Sequence, residues 1–429
     1  MKLVFVGSGY VGLVSGVMLS YLGHEVVCMD SDESRINALK NHKLPIYEPD
    51  LEKYFRESIH EEYLSFATNY KALKFTPEAI FITVGTPSLP NGEANLQYVF
   101  DATMEAAANT SSNTIIVIKS TVPPGTGENL QKQLREKGYK HDIISNPEFL
   151  REGCAIKDFM QPDRIVVGVS NKKSTDLMKI IYERFIQQER PFVFTSITSA
   201  ELTKYASNAF LATKIAFINE MANLCEKTGG DVDIVAKAMG LDPRIGSAFL
   251  QTGPGFGGSC FPKDIMALEH LASKYDMPCY VLSSVIKSNK NRSRDIVAKI
   301  KLALGDLRDK MIAILGLSFK AGTDDVRDSP AIEIIKLLGE EGAYLCAYDP
   351  AGMKNASSIL TINMATSYKT AARNSDAIVI LTEWPEFKNM DYNILAQEMR
   401  EKVIFDYRNI LDREEAAKAG FTVYQLGKR

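Results

Sequence analysis

The sequence predicts an α/β protein with two doubly wound sheets, joined by a long central helix and a helical dimerisation region. Three observations lead to this fold class. Apolar runs of strand length alternate with helical stretches from Met1 to about Thr195, and the same alternation begins again at Met311. Between them, Ser199–Thr228 contains no proline and no glycine. We therefore expect three domains, over residues 1–195, 196–300 and 301–429.

The bulk composition is that of an ordinary globular protein. The chain has 429 residues, more than one hydrophobic core usually holds. Its net charge of −3 provides no general attraction to nucleic acid or to a membrane. The six cysteines are scattered without zinc-site spacing, which indicates free thiols in a reducing compartment and predicts no metal site. No segment approaches the roughly 20 apolar residues of a membrane span, so a cytoplasmic protein is expected.

The first sheet is predicted from continuous apolar runs, which are typical of strands buried on both faces. The first of them, Leu3–Val6, begins almost at the N-terminus. Further strands are expected over Glu25–Met29, Ala79–Val84, Thr114–Lys119, Asp142–Ser145 and Arg164–Val169.

A glycine pattern at the end of the first strand indicates a dinucleotide site. Gly7-x-Gly9-x-x-Gly12 follows a strand and opens a helix, the context in which these glycines allow a tight turn and a close approach to a pyrophosphate. Asp30, at the end of the next strand, can accept hydrogen bonds from ribose hydroxyls and would repel a 2′-phosphate. The N-terminal domain is therefore predicted to be Rossmann-like and to bind NAD in preference to NADP. Arg35 either softens that preference or contacts the ribose or the surface.

Polar residues follow the ends of other strands of this sheet, where open α/β sheets bind ligands. Thr86 and Thr121 are candidates for cofactor or substrate contacts, although capping of turns is an equal alternative. Glu148 and Glu152 are four residues apart and can share one helical face. One of them is a candidate base, whereas a solvated face is the alternative.

The stretch Gly253–Asp264 carries the strongest chemical signal. Cys260 follows a glycine-rich run, and Lys263 and Asp264 follow the cysteine. A thiol near cationic groups is pushed toward the nucleophilic thiolate. Together with a nicotinamide cofactor, it indicates oxidation through a thiohemiacetal and a thioester. The alternative is a buried cysteine in a tight glycine turn.

The central and C-terminal parts are predicted from periodicity and renewed alternation. Ser199–Thr228 has the apolar spacing of an amphipathic helix and places Lys204 and Asn208 one turn apart. Shorter helices are expected over Asp231–Gly240 and Ile265–Ser273. The second sheet is expected from the strands Met311–Leu315, Ala343–Tyr348, Asp376–Leu381 and Lys402–Phe405, with a helix over Pro330–Gly339. It lacks the dinucleotide fingerprint.

Isolated cations in these parts suggest an anionic ligand. Lys320 and Arg327 lie in Gly316–Pro330, the loop that leaves the first strand of the second sheet. Arg244 is another cation, near an apolar segment.

These motifs, in this order, resemble the UDP-glucose/GDP-mannose dehydrogenase family from Met1 to about Gln425. The resemblance rests on seven segments: Gly7–Gly12, Gly85–Pro87, Ser120–Thr126, Asn146–Gly153, Glu201–Asn208, Gly257–Asp264 and Gly316–Pro330. It implies an NAD domain, a helical dimerisation region and a C-terminal UDP-binding domain in a homodimer. The implied reaction oxidises UDP-glucose twice at C6 to UDP-glucuronate and reduces two NAD⁺.

The resemblance also implies roles for individual residues. Cys260 would be the nucleophile. Lys204 and Asp264 would manage protons and oxyanion charge, with help from Thr121 and a water. Glu148 would be the base for thioester hydrolysis, and Asn208 would contact the substrate. The cofactor would be bound by Gly7, Gly9, Tyr10, Val11, Gly12, Asp30, Arg35, Thr86, Thr121, Glu152, Lys263 and Arg327. The substrate would be bound by Glu148, Phe149, Leu150, Arg151, Glu152, Lys204, Asn208, Arg244, Phe249, Leu250, Gln251, Thr252, Gly253, Gly257 and Lys320.

Other functions remain open at this point. Within the family, the sugar nucleotide could be GDP-mannose or a UDP-N-acetylhexosamine, although Ser259 before the cysteine resembles the UDP-glucose branch more than the N-acetyl branch. From other classes come a non-catalytic NAD-sensing protein and a simple two-electron dehydrogenase of the 2-hydroxyacid or 6-phosphogluconate type. The former would not need Cys260 or Lys204, and the latter would need no nucleophilic cysteine.

Overall fold

The computed structural model describes residues 1–428, and the chain divides into two compact units between Ser207 and Asn208. Each unit contains one β-sheet. Among the described residues, no helix combines the length and the apolar character that are needed to cross a membrane.

The first unit is built on an eight-stranded sheet with helices between its strands, as far as residues 1–428 show. Its strands are β1 (Lys2–Val6), β2 (Glu25–Met29), β3 (Leu64–Ala67), β4 (Ala79–Ile82), β5 (Ile115–Ile118), β6 (Ile143–Ser145), β7 (Ile165–Gly168) and β8 (Phe192–Thr195). Its helices are α1 (Tyr10–Tyr21), α2 (Glu33–Lys40), α3 (Leu51–His60), α4 (Gln97–Asn109), α5 (Thr126–Glu136), α6 (Ala155–Met160), α7 (Lys172–Ile181) and α8 (Glu183–Gln187), with a 3₁₀ turn at Tyr70–Ala72.

The strand order of this sheet is β3-β2-β1-β4-β5-β6-β7-β8. The first six positions follow the doubly wound order of dinucleotide-binding sheets, which confirms the predicted Rossmann-like fold. The neighbouring strands pair in parallel, except that β6 and β7 are joined by one antiparallel pair, Ser145 opposite Gly168.

Apolar residues cover both faces of this sheet, as the continuous apolar runs predict. Leu3 and Phe5 on β1 belong to one buried cluster, whereas Val4 between them belongs to the cluster on the other face. The Phe5 ring stacks on Phe81 of β4, with centroids 4.6 Å apart. Successive side chains of a strand point to opposite faces, so a strand buried on both faces needs no polar residues.

The long helix α9 (Ile197–Thr228) crosses the boundary between the units, and its bounds agree closely with the prediction. In the second unit the remaining helices are α10 (Val232–Gly240), α11 (Phe261–Ser273), α12 (Tyr280–Leu304), α13 (Pro330–Glu340), α14 (Met353–Ser357), α15 (Tyr368–Ala372), α16 (Pro385–Lys388), α17 (Tyr392–Glu398) and α18 (Arg413–Lys418). The strands are β9 (Met311–Leu315), β10 (Tyr344–Tyr348), β11 (Asn363–Met364), β12 (Ala377–Ile380), β13 (Val403–Asp406) and β14 (Thr422–Gln425).

The second sheet is parallel and has the order β11-β10-β9-β12-β13-β14, which repeats the doubly wound arrangement of the first. Ile312 and Ile314 face one apolar cluster, whereas Ala313 and Leu315 face another. The predicted second Rossmann-like sheet is therefore confirmed.

The sequence analysis marks neither β11 nor β14, and two helices of the second unit also differ from it. Helix α11 begins at Phe261 rather than at Ile265. Pro262 is favourable in the first turn, because the N–H groups there have no partner within the helix and proline lacks an N–H. Helix α12 is not marked by the sequence analysis. It buries Val285, Ile296 and Ile300 on one side and keeps a largely polar opposite face.

Candidate active site

The dinucleotide fingerprint forms the turn between β1 and α1. Gly7 has a φ of +100°, and a Cβ atom there would lie 2.9 Å from the Thr83 backbone. A Cβ atom at Gly12 would collide with the carbonyl oxygen of Gly7. Gly9, in contrast, has no atom within 4 Å of the position of a Cβ. Gly7 and Gly12 are therefore required by the fold, whereas Gly9 keeps the start of α1, from Tyr10 and Val11 onward, open to a ligand.

Asp30 lies beside this turn, at the end of β2. Its Oδ2 accepts hydrogen bonds from the Ser8 N–H at 2.8 Å and from the Ser8 hydroxyl at 2.9 Å. Arg35 Nη1 lies 3.3 Å from the same oxygen. The carboxylate thus stands next to the pyrophosphate turn, where it can receive ribose hydroxyls and oppose a 2′-phosphate. These residues fit a bound NAD.

Hydroxyl groups hold together the carboxyl ends of the central strands. The Thr86 hydroxyl donates to the carbonyl of Thr121 at 3.0 Å, and the Ser120 hydroxyl donates to that of Val84 at 2.7 Å. The two predicted threonines therefore belong to one hydrogen-bonded group at the strand ends. Thr86 is buried, whereas Thr121 is partly accessible.

A buried ion pair follows β6. Lys204 Nζ lies 3.0 Å from Glu148 Oε1, and both side chains are almost inaccessible to solvent. Glu148 Oε2 also accepts the N–H of Leu150 at 2.5 Å. The Phe149 ring lies under two cations, with Lys204 Nζ 5.4 Å and the Arg164 guanidinium 3.7 Å from its centroid. The hydrogen bonds and burial therefore restrict the Glu148 carboxylate and the Lys204 ammonium to few orientations.

Sequence reasoning missed a second buried cation beside this pair. Lys119 is 5% exposed, and its Nζ lies 3.3 Å from Asn146 Oδ1. Burial lowers the pKa of Lys119 to about 8, a shift that the charge of Glu148 opposes and that of Lys204 reinforces. The position directly after an apolar strand and before Ser120 was a signal that could have identified it.

Glu201 is another residue without a predicted role. Its carboxylate accepts the N–H groups of Gly125 and Gly127, each at 2.7 Å, and so occupies the N-terminus of α5. Burial raises the pKa of Glu201 to about 7, against the two backbone hydrogen bonds. The side chain fastens the first turns of α9 to the loop that contains Thr121.

In the second unit, Cys260 lies immediately before α11. The helix N-terminus presents free N–H groups and a positive dipole end, which stabilise negative charge. One turn along, Asp264 is buried and accepts hydrogen bonds from Asn208 Nδ2 and Lys263 Nζ, both at 2.6 Å. Four predicted residues, Cys260, Asp264, Lys263 and Asn208, are thus brought together. The group contains a thiol, a carboxylate, a cation and an amide.

The glycine-rich run before Cys260 packs against the loop of Lys320 and Arg327. A Cβ atom at Gly257 would collide with the carbonyl oxygen of Asp328, and the Gly258 N–H donates to the carbonyl of Arg327 at 3.0 Å. The Phe319 ring would be 2.9 Å from a Cβ atom at Gly258. Arg327 itself pairs with Asp325 at 2.6 Å. Close backbone contact explains why these positions are glycine.

The predicted substrate segment 249–253 is held by side chains that the sequence analysis missed. The Gly253 N–H donates to Asn219 Oδ1 at 2.9 Å, and its carbonyl accepts from Arg292 Nε at 3.1 Å. Arg408 Nη1 would lie 3.1 Å from a Cβ atom at Gly253, and Arg408 Nη2 donates to the Phe319 carbonyl at 3.0 Å. Arg408 follows the end of β13, a position at the ligand-binding edge of the sheet that could have marked it.

Other predicted residues take varied positions. Leu250 and Thr252 are buried, Gln251 is exposed, and Phe249 has a φ of +64°. Lys320 lies 5.5 Å from the Phe319 ring centroid. Two arginines are paired with nearby carboxylates: Arg151 with Asp158, and the exposed Arg244 with Asp242, each at 2.6 Å. Glu152 lies close enough to Tyr10 for its charge to raise the pKa of that phenol.

These features are typical of a class of nicotinamide-dependent dehydrogenases. The features are two doubly wound sheets, a dinucleotide turn with an acidic residue at the end of the second strand, and a cysteine at a helix start. The chain belongs to the UDP-glucose/GDP-mannose dehydrogenase family. Its residues 1–186 match the family's NAD binding domain, residues 198–291 its central domain and residues 313–413 its UDP binding domain.

Similar proteins agree with this assignment over the whole chain. A UDP-glucose 6-dehydrogenase of Rickettsia felis is 50% identical, over all of this chain and 97% of the relative. The structure of a UDP-glucose dehydrogenase from Pyrobaculum islandicum is 36% identical with a TM-score of 0.92, covering all of this chain and 98% of the other. A UDP-D-ManNAc dehydrogenase structure from Pyrococcus horikoshii is 26% identical with a TM-score of 0.87, covering all of this chain and 99% of the other.

The contrast between Gly9 and Gly12 leads to a prediction. Gly12→Ala should destabilise the first unit by about 2 kcal/mol or more, because its methyl group collides with backbone. Gly9→Ala should lose less than about 1 kcal/mol, the cost of an alanine N-cap on α1, and yet bind NAD⁺ at least about tenfold more weakly, since a Cβ atom at Gly9 meets no protein atom but faces the ligand. Thermal unfolding and calorimetric titration measure the two effects. Equal losses of stability in both variants would contradict this division.

The burial of Lys119 predicts a pH-dependent stability. Below pH 8 this lysine is protonated in both the folded and the unfolded chain, so the full cost of burying its charge opposes folding. As pH rises from 8 toward 10.5, the folded protein releases the proton first and the cost falls. Lys119→Met should therefore gain stability relative to the unmodified protein at pH 7, and this advantage should shrink by about 2 kcal/mol by pH 9.5.

Urea denaturation of both proteins across this pH range measures the difference. Lys132→Met, on the exposed face of α5, controls for the removal of a surface lysine. An advantage of Lys119→Met that stays constant with pH would show that Lys119 does not change its charge in this range.

Proposed function

We propose that this protein catalyses the NAD-dependent, four-electron oxidation of UDP-glucose to UDP-glucuronate through a covalent intermediate on Cys260. The observation that carries the proposal is the position of Cys260 at the start of α11, in the same group as Asp264, Lys263 and Asn208. The identity of 50% with a UDP-glucose 6-dehydrogenase over the full chain supports the choice of substrate.

The proposed reaction has two oxidations. NAD, when bound, accepts one hydride in each of them. Oxidation of the C6 hydroxymethyl group gives an aldehyde, which the Cys260 thiolate attacks to form a C–S bond and a thiohemiacetal. The second oxidation converts this adduct to a thioester. Water then cleaves the C–S bond, releases the carboxylate and returns the thiol.

The residues around these steps have separate tasks. The Lys204 ammonium stabilises the developing oxyanion, and its buried pairing with Glu148 fixes its position. The hydroxyl proton leaves through a water, assisted by Thr121 and Asp264. Glu148 serves as the base for the water that cleaves the thioester. Asn208 and Lys263 contact Asp264 directly. Asn208, the 249–253 segment, Gly257 and Lys320 bind the substrate, as do residues 148–152 and Arg244.

The cofactor assignment follows from the first unit. Gly7, Gly9 and Gly12 with Tyr10 and Val11 are the proposed contacts of the pyrophosphate, and Asp30, with Arg35 beside it, is the proposed contact of the ribose. Thr86, Thr121, Glu152, Lys263 and Arg327 complete the proposed cofactor contacts.

A homodimer is also proposed. Large apolar side chains are exposed on α9 and on α10 with the residue that follows it, among them Phe210, Leu224, Ile234 and Leu241. Exposed apolar side chains that gather into a patch mark protein–protein contact. Sedimentation equilibrium should return the mass of two chains, and Phe210→Asp should shift it toward one. A single-chain mass for the unmodified protein would contradict this.

A cytoplasmic location is proposed as well. Cys28, Cys154, Cys225, Cys279 and Cys346 are free thiols, which agrees with a reducing compartment. Fractionation of cells that produce the protein at native levels tests this location.

The number of NADH molecules formed per sugar nucleotide tests the reaction. Two NADH per UDP-glucose are expected, with GDP-mannose and UDP-N-acetylhexosamines as slower substrates. One NADH would indicate a simple two-electron dehydrogenase, and none with any sugar nucleotide would indicate a protein that only binds NAD.

Cys260 variants test the covalent step separately. Cys260→Ala should lose four-electron turnover by at least about 10³-fold while NAD⁺ affinity stays unchanged. Cys260→Ser should accumulate an ester adduct, detectable by mass spectrometry, because an oxygen ester is hydrolysed more slowly than a thioester. Cys279→Ala is the control for loss of another half-buried thiol. UDP-glucuronate formation by Cys260→Ala near the parent rate would refute the covalent mechanism.

A further inference from the structure

Glu48 is a buried carboxylate to which the proposed reaction gives no role. It lies in the connection between α2 and α3, within Pro45-Ile46-Tyr47-Glu48-Pro49, and is 7% exposed. Ile46, two residues before it, packs against the main apolar cluster of the first unit and anchors the connection. A buried carboxylate is costly unless several donors satisfy it, so its partners indicate its purpose.

Three donors from two separate segments meet at this carboxylate. Oε2 accepts the Tyr10 hydroxyl and also the N–H of Gly153 at 2.6 Å. Oε1 accepts the N–H of Ala155 at 2.7 Å. Both oxygens are therefore engaged, and the side chain holds a phenol and two backbone amides in a fixed relation.

The two segments belong to different parts of the predicted chemistry. Tyr10 is the first residue of α1 and belongs to the dinucleotide turn. Gly153 and Ala155 follow directly on residues 148–152, the segment proposed to bind the substrate. The phenol is kept protonated, because burial and the charges of Glu48 and Glu152 raise the pKa of Tyr10. Tyr10 thus remains a hydrogen-bond donor to Glu48.

We propose that Glu48 is a positioning residue that couples the dinucleotide turn to the substrate segment, so that occupation of the cofactor site fixes residues 148–155. In this proposal, bound NAD restrains the start of α1. Tyr10 then keeps its hydrogen bond to the Glu48 carboxylate, and the carboxylate keeps its hydrogen bonds to the N–H groups of Gly153 and Ala155. Movement of Gly153 changes the path of residues 148–152, where Glu148 binds the N–H of Leu150 and the Lys204 ammonium. This inference rests on the proposed function for the substrate role of residues 148–152 and for the identity of the sugar nucleotide.

Hydrogen–deuterium exchange with NAD⁺ alone tests the coupling, because Glu48 binds the two amides directly. In the unmodified protein, saturating NAD⁺ should slow exchange in a peptide that contains Gly153 and Ala155 by about tenfold, the effect of one charge-assisted hydrogen bond. In Tyr10→Phe, which loses only the hydroxyl, NAD⁺ should still bind but should slow exchange in this peptide by less than about twofold.

Tyr21→Phe is the matched control, since Tyr21 is the last residue of the same helix and contacts Tyr54 through its ring. It should respond to NAD⁺ as the unmodified protein does. Equal protection of the peptide in Tyr10→Phe and in the control would overturn the proposal, and so would an unmodified protein whose peptide does not respond to NAD⁺.

Steady-state kinetics give a second test that a purely structural role would not satisfy. At saturating NAD⁺, Tyr10→Phe and Glu48→Gln should each raise KM for UDP-glucose by about three- to tenfold, and the double variant should be no worse than Glu48→Gln. Tyr10→Phe should unfold at a lower temperature than Tyr21→Phe, because Glu48 loses one of its three donors, and KM is therefore measured well below both transitions. Multiplicative effects in the double variant would mean that the residues act independently, against the proposal. Protection by NAD⁺ without turnover of UDP-glucose would instead refute the proposed function and leave the coupling in place.

Discussion

Close contact between backbone segments, with no space for a Cβ atom, is the constraint on which both groups of candidate residues depend. In the first unit the carbonyl of Gly7 occupies the position of a Gly12 side chain. In the second unit the carbonyl of Asp328 does the same at Gly257. Each contact places a helix start, α1 or α11, beside a loop at the carboxyl end of a sheet. Helix starts stabilise anions, so the same geometry favours a negatively charged group at each of these two helix starts.

Charges buried behind these loops are satisfied by few but specific partners. Glu148 is bound by Lys204 and a backbone amide, and Asp264 by Asn208 and Lys263. Such groups contribute little to net stability, because desolvation offsets most of their attraction. Their main effect is on orientation. Hydrogen bonds to a carboxylate restrict it to one orientation, and the rate of a proton transfer depends on that orientation.

The fold was largely predictable because its signals are local. Continuous apolar runs identify β1, β4, β5 and β9, and the absence of proline and glycine identifies α9. Helix α12 was missed because its apolar positions are separated by lysines, asparagines and arginines, and the helix is set by packing against α13. The start of α11 was placed too late because glycine and cysteine before Phe261 carry no helical pattern.

The candidate site was predictable only where a motif carried it. Cys260, Asp264, Lys204 and the fingerprint stand in recognisable sequences, whereas Lys119, Glu48, Arg292 and Arg408 act through partners distant in sequence. Glu48 is 105 residues from Gly153, and Arg408 is 89 residues from Phe319. The strand-end positions of Lys119 and Arg408 mark these two residues as candidates, but a single sequence has no signal for the distant partners that bury and orient them.

The Gly253 peptide shows how a distant helix takes part in such a site. Asn219 on α9 binds its N–H, and Arg292 on α12 binds the carbonyl, so both sides of the predicted substrate segment are fixed by helices outside it. Arg292 is 3% exposed, and its Nη2 has no acceptor among the described residues. Burial of an incompletely satisfied guanidinium lowers its pKa and costs stability. The cost in stability is the consequence of placing the Arg292 side chain where it can bind the Gly253 carbonyl. The conformation of the Gly253 peptide therefore depends on α9 and α12 and not only on the residues of its own segment.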